Sequence, residues 1–291
     1  MAHRLLLDTS SLVYRAFFAL PASIVDPAGR PVNAVRGYLD MTAQLVCEHR
    51  PDELVHVLDH DWRPAERVAA YAGYKGQRNE DPPELPQQFD VLDEVLDALG
   101  MKRALARGWE ADDAIAALCE QAAASDRIDV VTGDRDLLQL VRDEAPVVRV
   151  LYTVKGVRQL AVFDAAAVRA KYGVAPDRYA DFAILRGDPS DGLPGVRGVG
   201  EKTARSLVSS SPSLPALLEA AGRQTPKLAL ALREARPYLE AMAQVVPVRR
   251  DVEVTVLQAP RDPQRIQHLA EERALESPVA RLLDALERTR A

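Results

Sequence analysis

Three short apolar runs, each leading into an aspartate, constrain the fold of this chain more than any other feature. They span residues 4–8, 54–59 and 128–134 and end on Asp8, Asp59 and Asp134. Runs of this kind, β-branched in two of the three cases, are typical of strands buried on both faces of a parallel sheet. Longer stretches with helical periodicity lie between them. This alternation predicts an α/β domain with a mostly parallel sheet flanked by helices.

The three aspartates are predicted to meet at one edge of that sheet. In open α/β sheets the ligand crevice lies beyond the carboxyl ends of the strands, where Asp8, Asp59 and Asp134 would stand. A single strand-terminal aspartate is more often a turn residue, because its side chain bonds the backbone that follows it. Three such residues in one sheet favour a shared ligand site.

A second group of acids precedes a helical run. The segment GWEADD, residues 108–113, holds Glu110, Asp112 and Asp113 just before apolar residues of helical character. Acids are favoured at a helix N-terminus, so a simple helix start is the alternative to a metal site. If these acids face the strand-terminal aspartates, their charges repel unless cations neutralise them. Oxygen ligands without Cys or His nearby select hard cations such as Mg²⁺ or Mn²⁺.

Residues 61–86 differ in kind from the predicted sheet around them. Basic and aromatic side chains are interleaved there: Arg63, Arg67, Lys75 and Arg78 with Trp62, Tyr71 and Tyr74. Charges for phosphates and rings for stacking are what a single strand of nucleic acid requires. A long excursion from the edge of a sheet is more often functional than decorative. A solvated surface loop is the alternative interpretation.

A glycine-rich element interrupts the more helical second part of the chain. The segment GVRGVGEKTA, residues 195–204, predicts a glycine hairpin that opens a helix. Glycine allows close backbone approach and the helix start adds free N–H groups, so the element can hold phosphate without reading bases. Because no strand precedes it, a dinucleotide site is disfavoured. The candidate DNA contacts are Gly195, Arg197, Gly198, Gly200, Lys202 and Thr203, and Asp188 and Asp191 just upstream could extend the acidic cleft.

Composition bears on the partner and the compartment. The formal net charge of −6 argues against nucleic acid on average, but acids gathered in one metal site would leave local basic patches available for phosphate. Cys47 and Cys119 lie in apolar helical runs, so neither a disulfide framework nor a zinc site is indicated, and a reducing cytoplasm fits. Neither a signal peptide nor a membrane anchor is expected.

Five segments of the chain resemble one known family. They are LLLDTSSLVYRAFFAL, RVAAYAGYKGQR, GWEADDAIAALC, TGDRDLLQL and GDPSDGLPGVRGVGEKTA. Their order and spacing are similar to those of the bacterial 5′-3′ exonuclease or flap endonuclease family, which includes the 5′-nuclease domain of DNA polymerase I. The resemblance implies a stand-alone nuclease with a PIN-like, resolvase-like domain at 1–174, whose helical arch lies at 61–86. A helical DNA-binding domain would follow at 175–291, with a helix-three-turn-helix element of SAM-fold type around 187–208.

The resemblance implies a role for each candidate residue. Nine acids would bind two or more divalent ions: Asp8, Asp59, Glu110, Asp112, Asp113, Asp134, Asp136, Asp188 and Asp191. Four basic residues would act near the scissile phosphate: Arg15, Arg67, Lys75 and Arg78. Tyr71, Tyr74 and the glycine hairpin would contact DNA, and the hairpin carbonyls are a candidate site for K⁺.

The implied activity is hydrolysis of DNA phosphodiester bonds at a free 5′ end, as an exonuclease and a 5′-flap endonuclease. Implied substrates are branched or nicked DNA and RNA–DNA hybrids, in Okazaki-fragment processing and DNA repair. A separate polymerase and ligase would act with it, and a cytoplasmic monomer without membrane contact is expected. Two alternatives stay open: a PIN-type ribonuclease, which shares the acidic cleft, and a DNA-binding relative that no longer cuts.

The chain departs from the family pattern at three places. Relatives commonly have Gly where this chain has Thr9, and Asn where it has Gly192. An extra residue also lies between Asp59 and Arg67. None of these changes removes an acid, so catalysis is expected to survive. They bear on the second metal site and on the balance between exonuclease and flap cleavage.

Overall fold

The computed structural model describes residues 2–78 and 80–290. Its strands are β1 (His3–Asp8), β2 (Glu53–Val57), β3 (Lys102–Ala106), β4 (Arg127–Thr132), β5 (Val147–Thr153), β6 (Leu160–Phe163) and β7 (Val254–Leu257). Its helices are α1 (Thr9–Ala19), α2 (Asn33–His49), α3 (Ala65–Ala70), α4 (Pro86–Ala98), α5 (Ala111–Gln121), α6 (Ala165–Tyr172), α7 (Tyr179–Arg186), α8 (Glu201–Ser209), α9 (Leu214–Glu219), α10 (Pro226–Glu234), α11 (Arg236–Val245), α12 (Pro263–Glu272) and α13 (Glu276–Arg290).

These strands form one sheet in the order β6-β5-β4-β1-β2-β3-β7. The central strand β1 pairs in parallel on both sides, with Leu6 beside Val55 of β2 and beside Val130 of β4. β3 and β5 extend the parallel part, and β7 and β6 close its two edges in antiparallel pairing. The predicted α/β fold class with a mostly parallel sheet is confirmed.

Both faces of the sheet are buried. In β1, Leu6 joins a core that includes residues of α5 and α7, whereas Leu5 and Leu7 join a core that includes residues of α1, α2, α4 and α13. Because apolar side chains are required on both faces, these strands appear in the sequence as continuous apolar runs. The helices on the two faces leave the strand ends exposed as the place for a site.

The strand order reverses between β1 and β4. From β1 the chain runs to β2 and β3 on one side and then crosses to β4 and β5 on the other. Connections that leave in opposite directions open a crevice beyond the carboxyl ends of the two strands. At this point Asp8 at the end of β1 accepts a hydrogen bond of 2.6 Å from the Thr132 hydroxyl at the end of β4.

Helices dominate from residue 165 to residue 245, and the chain then returns to the sheet. β7 pairs with β3, and α13 packs along α2. Residues 263–290 therefore contribute to the core of the sheet, whereas the sequence placed them with a helical domain at 175–291. The division at residue 174 stays a prediction. Across the residues described, no helix has the length and apolar character needed to cross a membrane.

Candidate metal centre and nucleic-acid interface

A cleft of about 920 Å³ opens at the carboxyl ends of β1, β2 and β4. Five of the nine predicted acids line it: Asp8, Asp59, Glu110, Asp112 and Asp134. Lys75 and Arg78, from the segment 61–86 that we call the arch, line it as well. The strand ends, the start of α5 and the arch therefore meet in one place.

Asp8 is fixed at the floor of the cleft by the fold itself. Its Oδ1 accepts the Ser11 N–H at 3.2 Å and so caps α1, and its Oδ2 accepts the Thr132 hydroxyl. Only 5% of the residue is exposed. The carboxylate is therefore held in one orientation before any ligand arrives.

Asp134 and Asp59 also meet the starts of helices. Asp134 Oδ1 accepts the Asp136 N–H at 2.7 Å, where the 3₁₀ turn Asp136–Leu140 begins. Asp59 Oδ1 accepts the Ala111 N–H at 2.7 Å, at the first residue of α5. Free N–H groups at helix starts favour negative charge, so these backbone groups stabilise part of the negative charge of the cleft.

Burial raises the pKa of four carboxyls in and below the cleft, and neighbouring carboxylates add to the shift. The four are Asp8, Asp112, Asp134 and Asp136. The pKa of Asp8 rises to about 7, and those of Asp112 and Asp136 rise well above the ordinary value. The charge of Asp134 contributes to all three of these shifts.

We expect the protein in EDTA to lose stability as the pH rises from about 6.5 to about 8.5. A carboxyl with a raised pKa binds its proton more tightly in the folded state, so its contribution to stability is full below about pH 4 and is lost as the pH rises through the folded value. For Asp8 the loss over this window is about 1 kcal/mol. The lowered pKa values of His49 and His56 act in the opposite direction only below about pH 6.5.

Thermal unfolding in EDTA across this pH range measures the effect. The Asp8→Asn variant keeps a capping oxygen but cannot ionise, so its melting temperature should depend less on pH. Excess Mg²⁺ should raise the melting temperature more at the upper end of the range, because oxygen ligands bind when ionised. A stability that rises with pH in EDTA contradicts the prediction.

Groups from the arch surround Glu110 at the wall of the cleft. Lys75 and Arg67 both form ion pairs with its carboxylate, and the Tyr74 hydroxyl donates to Oε2 at 2.7 Å. Lys75 is only 7% exposed. Burial by itself would lower the pKa of Lys75, but the charges of Glu110 and Asp191 raise it overall. The ammonium therefore remains charged inside the cleft.

Arg67 and Asp113 form a buried ion pair with each other. The Arg67 guanidinium donates to the two Asp113 oxygens at 2.7 and 3.0 Å, and Asp113 also accepts the Arg249 N–H at 2.8 Å. Asp113 is fully buried, and Arg67 is 3% exposed. Both Asp113 oxygens and both terminal nitrogens of Arg67 are paired in this way, whereas Arg67 Nε has no hydrogen-bond partner among the described residues. Metal binding by Asp113 and phosphate contact by Arg67 stay predictions. The pair holds α3 of the arch against α5.

We expect the Arg67→Lys variant to lose about 2 kcal/mol of unfolding free energy. Lysine keeps the charge but cannot donate the paired hydrogen bonds that a guanidinium gives to Asp113. Urea unfolding measures the loss. The matched control is Arg288→Lys, in an exposed ion pair with Asp284 on α13, which should change the stability by less than about 0.5 kcal/mol. If Arg67→Lys were as stable as the wild type, the pair of Arg67 with Asp113 would not stabilise the fold.

The loop that carries Asp188 and Asp191 closes on the arch. Arg78 Nη2 lies 2.7 Å from Asp191 Oδ1, and the Lys75 N–H donates to the Asp191 carbonyl at 2.9 Å. Asp188 lies 3.4 Å from the Arg135 guanidinium. These two acids are thus paired with cations at the side of the cleft and do not line it in this arrangement.

Two departures from the family pattern have structural explanations. Gly192 has a φ of 73°, and a Cβ there would lie 2.6 Å from the carbonyl oxygen of Gly73. The missing side chain therefore lets the loop approach the arch closely. Thr9 is fully buried, and its hydroxyl lies 3.2 Å from the Tyr38 hydroxyl, which in turn lies 2.6 Å from His56 Nδ1. The extra hydroxyl beside the first aspartate thus has a partner.

The donors in this region suit a hard cation, although they do not form a ready cage. Within residues 2–78 and 80–290, no three His, Cys, Asp or Glu side chains gather closely enough around one point to hold an ion. Glu110 and Asp191 form ion pairs with basic side chains of the arch. Asp136 Oδ1, in contrast, is buried without a hydrogen-bond partner among the described groups. An oxygen-only set with an unpartnered buried oxygen fits a hard divalent cation.

The aromatic residues of the arch are used differently from the prediction. Tyr74 is 4% exposed, and Tyr71 packs edge-on against Tyr238 with ring centroids 6.1 Å apart. Tyr74 is therefore part of the core, whereas Tyr71 stays half-buried, and its contact with DNA stays a prediction. Trp62, in contrast, is 51% exposed and lines the cleft.

Helix α1 contributes to the cleft in ways that sequence reasoning missed in part. Tyr14 and Phe89 line the cleft with their ring centroids 6.1 Å apart, and the Tyr14 hydroxyl donates to Asp81 of the arch. The capping of α1 by Asp8 could have pointed to Tyr14, because the helix starts at the cleft, but Phe89 carries no local signal. Arg15, predicted from the resemblance, lies beside the Gly133 turn, where a Cβ would be 3.2 Å from its Nη2.

The glycine hairpin lies between α7 and α8. A Cβ at Gly195 would lie 2.5 Å from the last carbonyl of α7, so glycine is required for this close approach. Gly200 is the N-cap of α8. The predicted contacts that reach solvent are Arg197, Gly198, Gly200 and Lys202, with Thr203 half-buried. Free N–H groups at the start of α8 and two exposed cations beside them suit a phosphate.

Known proteins resemble this chain along nearly its whole length. Residues 3–173 match the family described as 5′-3′ exonuclease, N-terminal resolvase-like domain, and residues 174–267 match 5′-3′ exonuclease, C-terminal SAM fold. A 5′-3′ exonuclease of Streptomyces coelicolor is 47% identical, covering 97% of this chain and 99% of that protein. DNA polymerase I of Mycobacterium bovis is 45% identical over 79% of this chain and 25% of the polymerase.

A solved structure shares the fold. It is a bacteriophage T5 flap endonuclease in a pseudo-enzyme–product complex with DNA and metal ions, with a TM-score of 0.66 at 16% identity, covering 99% of this chain and 100% of that one. The family resemblance in the five sequence segments is confirmed by these matches. Since both domain families follow one another along residues 3–267, and a relative of nearly half identity matches from end to end, the chain belongs to the 5′-3′ exonuclease family.

Proposed function

We propose that the protein hydrolyses DNA phosphodiester bonds next to a free 5′ end, as an exonuclease and 5′-flap endonuclease dependent on Mg²⁺ or Mn²⁺. The observation that carries the proposal is the cleft in which the strand-terminal acids meet the cations of the arch. The relative from Streptomyces coelicolor bears the name 5′-3′ exonuclease, and the bacteriophage T5 flap endonuclease holds DNA and metal ions.

The acids would hold the cations. The residues that line the cleft are Asp8, Asp59, Glu110, Asp112 and Asp134, with Asp136 below them. Asp188 and Asp191 would join them if Arg135 and Arg78 turned toward a phosphate instead. Bound divalent ions would supply polarisation of the phosphoryl oxygens and a more acidic attacking water.

The basic residues of the arch act on the substrate. Lys75 and Arg78 line the cleft beside the acids, so they attract the scissile phosphate to a site that would otherwise repel it. As negative charge develops on the phosphoryl oxygens, these fixed cations stabilise it without reorganising. Arg15 at the Gly133 turn would add a third cation at the floor. The chain's own part is therefore to position the phosphate and offset its charge.

The glycine hairpin would hold the double-stranded part of the substrate. Arg197 and Lys202 stand exposed beside the start of α8, where backbone N–H groups can bind phosphate oxygens. Such contacts carry no base readout, so recognition depends on the shape of the junction and extends to RNA–DNA hybrids. We include K⁺ at the hairpin carbonyls in the proposal. Primer removal and repair beside a separate polymerase and ligase, as a cytoplasmic monomer, complete it.

The test is single-turnover cleavage of a duplex whose 5′ flap is labelled. The arms are Mg²⁺, Mn²⁺ and EDTA, with a plain single strand and an all-RNA strand as further substrates. We expect metal-dependent release of the flap near the junction and much slower cleavage of the plain strands. Binding without cleavage would indicate a DNA-binding relative that no longer cuts, and preferred cleavage of the RNA strand would indicate a PIN-type ribonuclease.

A further inference from the structure

We propose that Trp62 is a stacking platform for an unpaired base of the 5′ strand, next to the phosphate that Lys75 would contact. The inference deepens the proposed function and rests on it. It names the group that one wall of the cleft would bind, which is an unpaired nucleobase of any identity.

Trp62 is an exposed aromatic residue of the cleft. The residue is 51% exposed and lines the same cleft as Asp59 and Asp134. Its carbonyl oxygen lies 3.4 Å from Lys75 Nζ, so the platform and the cation are neighbours. A base lying on the indole would therefore belong to a nucleotide whose phosphate is within reach of the ammonium.

The backbone on both sides of Trp62 is held firmly. The Asp61 N–H donates to the Trp109 carbonyl at 3.1 Å, and the Arg63 N–H donates to Asp61 Oδ1 at 2.9 Å. The Arg63 side chain also donates to the Tyr74 carbonyl at 2.7 Å. An exposed ring on a fixed backbone loses little freedom on binding, which is the requirement for a preorganised contact.

The charges and the geometry around Trp62 select a single strand. Arg63, Lys75 and Arg78 line the cleft and can follow a phosphate backbone. A base inside a duplex has both faces covered by its neighbours, whereas an unpaired base can turn a face to the indole. Stacking on an aromatic ring tolerates any base, because every base has a π-face. Tyr74 is buried and Tyr71 is half-buried against Tyr238, so Trp62 is the most exposed aromatic ring of the arch.

Tryptophan fluorescence in EDTA tests the contact without cleavage. The chain has two tryptophans, so the Trp62→Phe variant reports Trp109 alone. The probes are a 5′-flap duplex, the same duplex with an abasic flap, and the duplex without a flap. We expect the flap with bases to quench wild-type fluorescence well beyond the other two probes, and to change the Trp62→Phe signal little.

Binding and cleavage constants complete the experiment. Trp62→Ala should bind the flap duplex at least about fivefold more weakly and the flapless duplex equally well, while Trp62→Phe stays within about twofold of wild type. Phe18→Ala removes an aromatic that is 72% exposed and does not line the cleft, and it should bind as wild type does.

The outcomes separate this inference from the proposed function. Wild-type protein that cleaves the flap in Mg²⁺ but shows equal quenching with the abasic flap overturns the platform alone. Unchanged flap binding by Trp62→Ala overturns it as well. Base-dependent quenching by a protein that cuts none of the substrates supports the platform and overturns the proposed catalysis.

Discussion

We expect the Asp134→Ala variant to cleave a 5′-flap duplex in Mg²⁺ at least about a thousandfold more slowly than wild type, a loss of about 4 kcal/mol of transition-state stabilisation. Asp134 lines the cleft, and its charge acts on Asp8, Asp112 and Asp136 together. Its removal would disturb the whole acid cluster. Affinity for the duplex should stay within about twofold, because the exposed cations of the hairpin are untouched.

Two further variants interpret that result. Asp134→Ala also removes the cap on the Asp136 N–H, and Asp134→Asn keeps an oxygen for it while removing the charge. If the charge matters, both variants fail in single-turnover cleavage, and Asp134→Asn unfolds at nearly the wild-type temperature. Asp284→Ala, an exposed acid on α13, should cut normally. Metal-dependent cleavage at the wild-type rate by Asp134→Asn would contradict the assignment.

We expect the Lys75→Ala variant to slow the single-turnover rate about a hundredfold or more while changing the duplex dissociation constant little. Lys75 lies beside Glu110 within the cleft, so its ammonium can stabilise charge on the phosphoryl oxygens, whereas the exposed cations of the hairpin are the groups proposed to hold the duplex. The rate at saturating enzyme and the dissociation constant in EDTA measure the two effects separately.

Two matched variants test whether the loss of rate is due to the charge of Lys75. Lys75→Met removes the charge but keeps most of the buried stem, so a loss of rate equal to that of alanine assigns the effect to charge. Lys155→Ala removes an exposed lysine from the β5–β6 connection and should leave both constants unchanged. An unchanged single-turnover rate in Lys75→Ala and Lys75→Met would contradict a catalytic role.

The sequence predicted the parts of the fold that follow from local burial. β1, β2 and β4 are largely buried strands, and each lies in one of the three short apolar runs. β3 and β6 were missed because Lys102–Ala106 contains two basic residues and Leu160–Phe163 has only four residues. The pairing of β7 with β3 joins segments about 150 residues apart, and no local period encodes that.

The same difference between local and long-range contacts decides which parts of the site could be predicted. Acids at the ends of parallel strands share an edge by geometry, so their meeting could be predicted. Which cations turn inward could not, since the partners are distant in sequence: Arg67 and Asp113 are 46 positions apart, and Arg78 and Asp191 are 113 apart. The same holds for Tyr74, whose hydroxyl is buried on a carboxylate 36 positions away.

The capping aspartates change how activity should be inferred in related sequences. Asp8, Asp59 and Asp134 each accept a backbone N–H where a helix begins, so a homologue that had stopped cutting DNA would still be selected to keep them for folding. Asp112 and Asp136 cap no helix start, and burial raises the pKa of both. In a homologue that no longer cleaves DNA, we expect substitutions at these two positions before the other three. The residues at positions 112 and 136 are therefore the better indicator that a homologue is still an active nuclease.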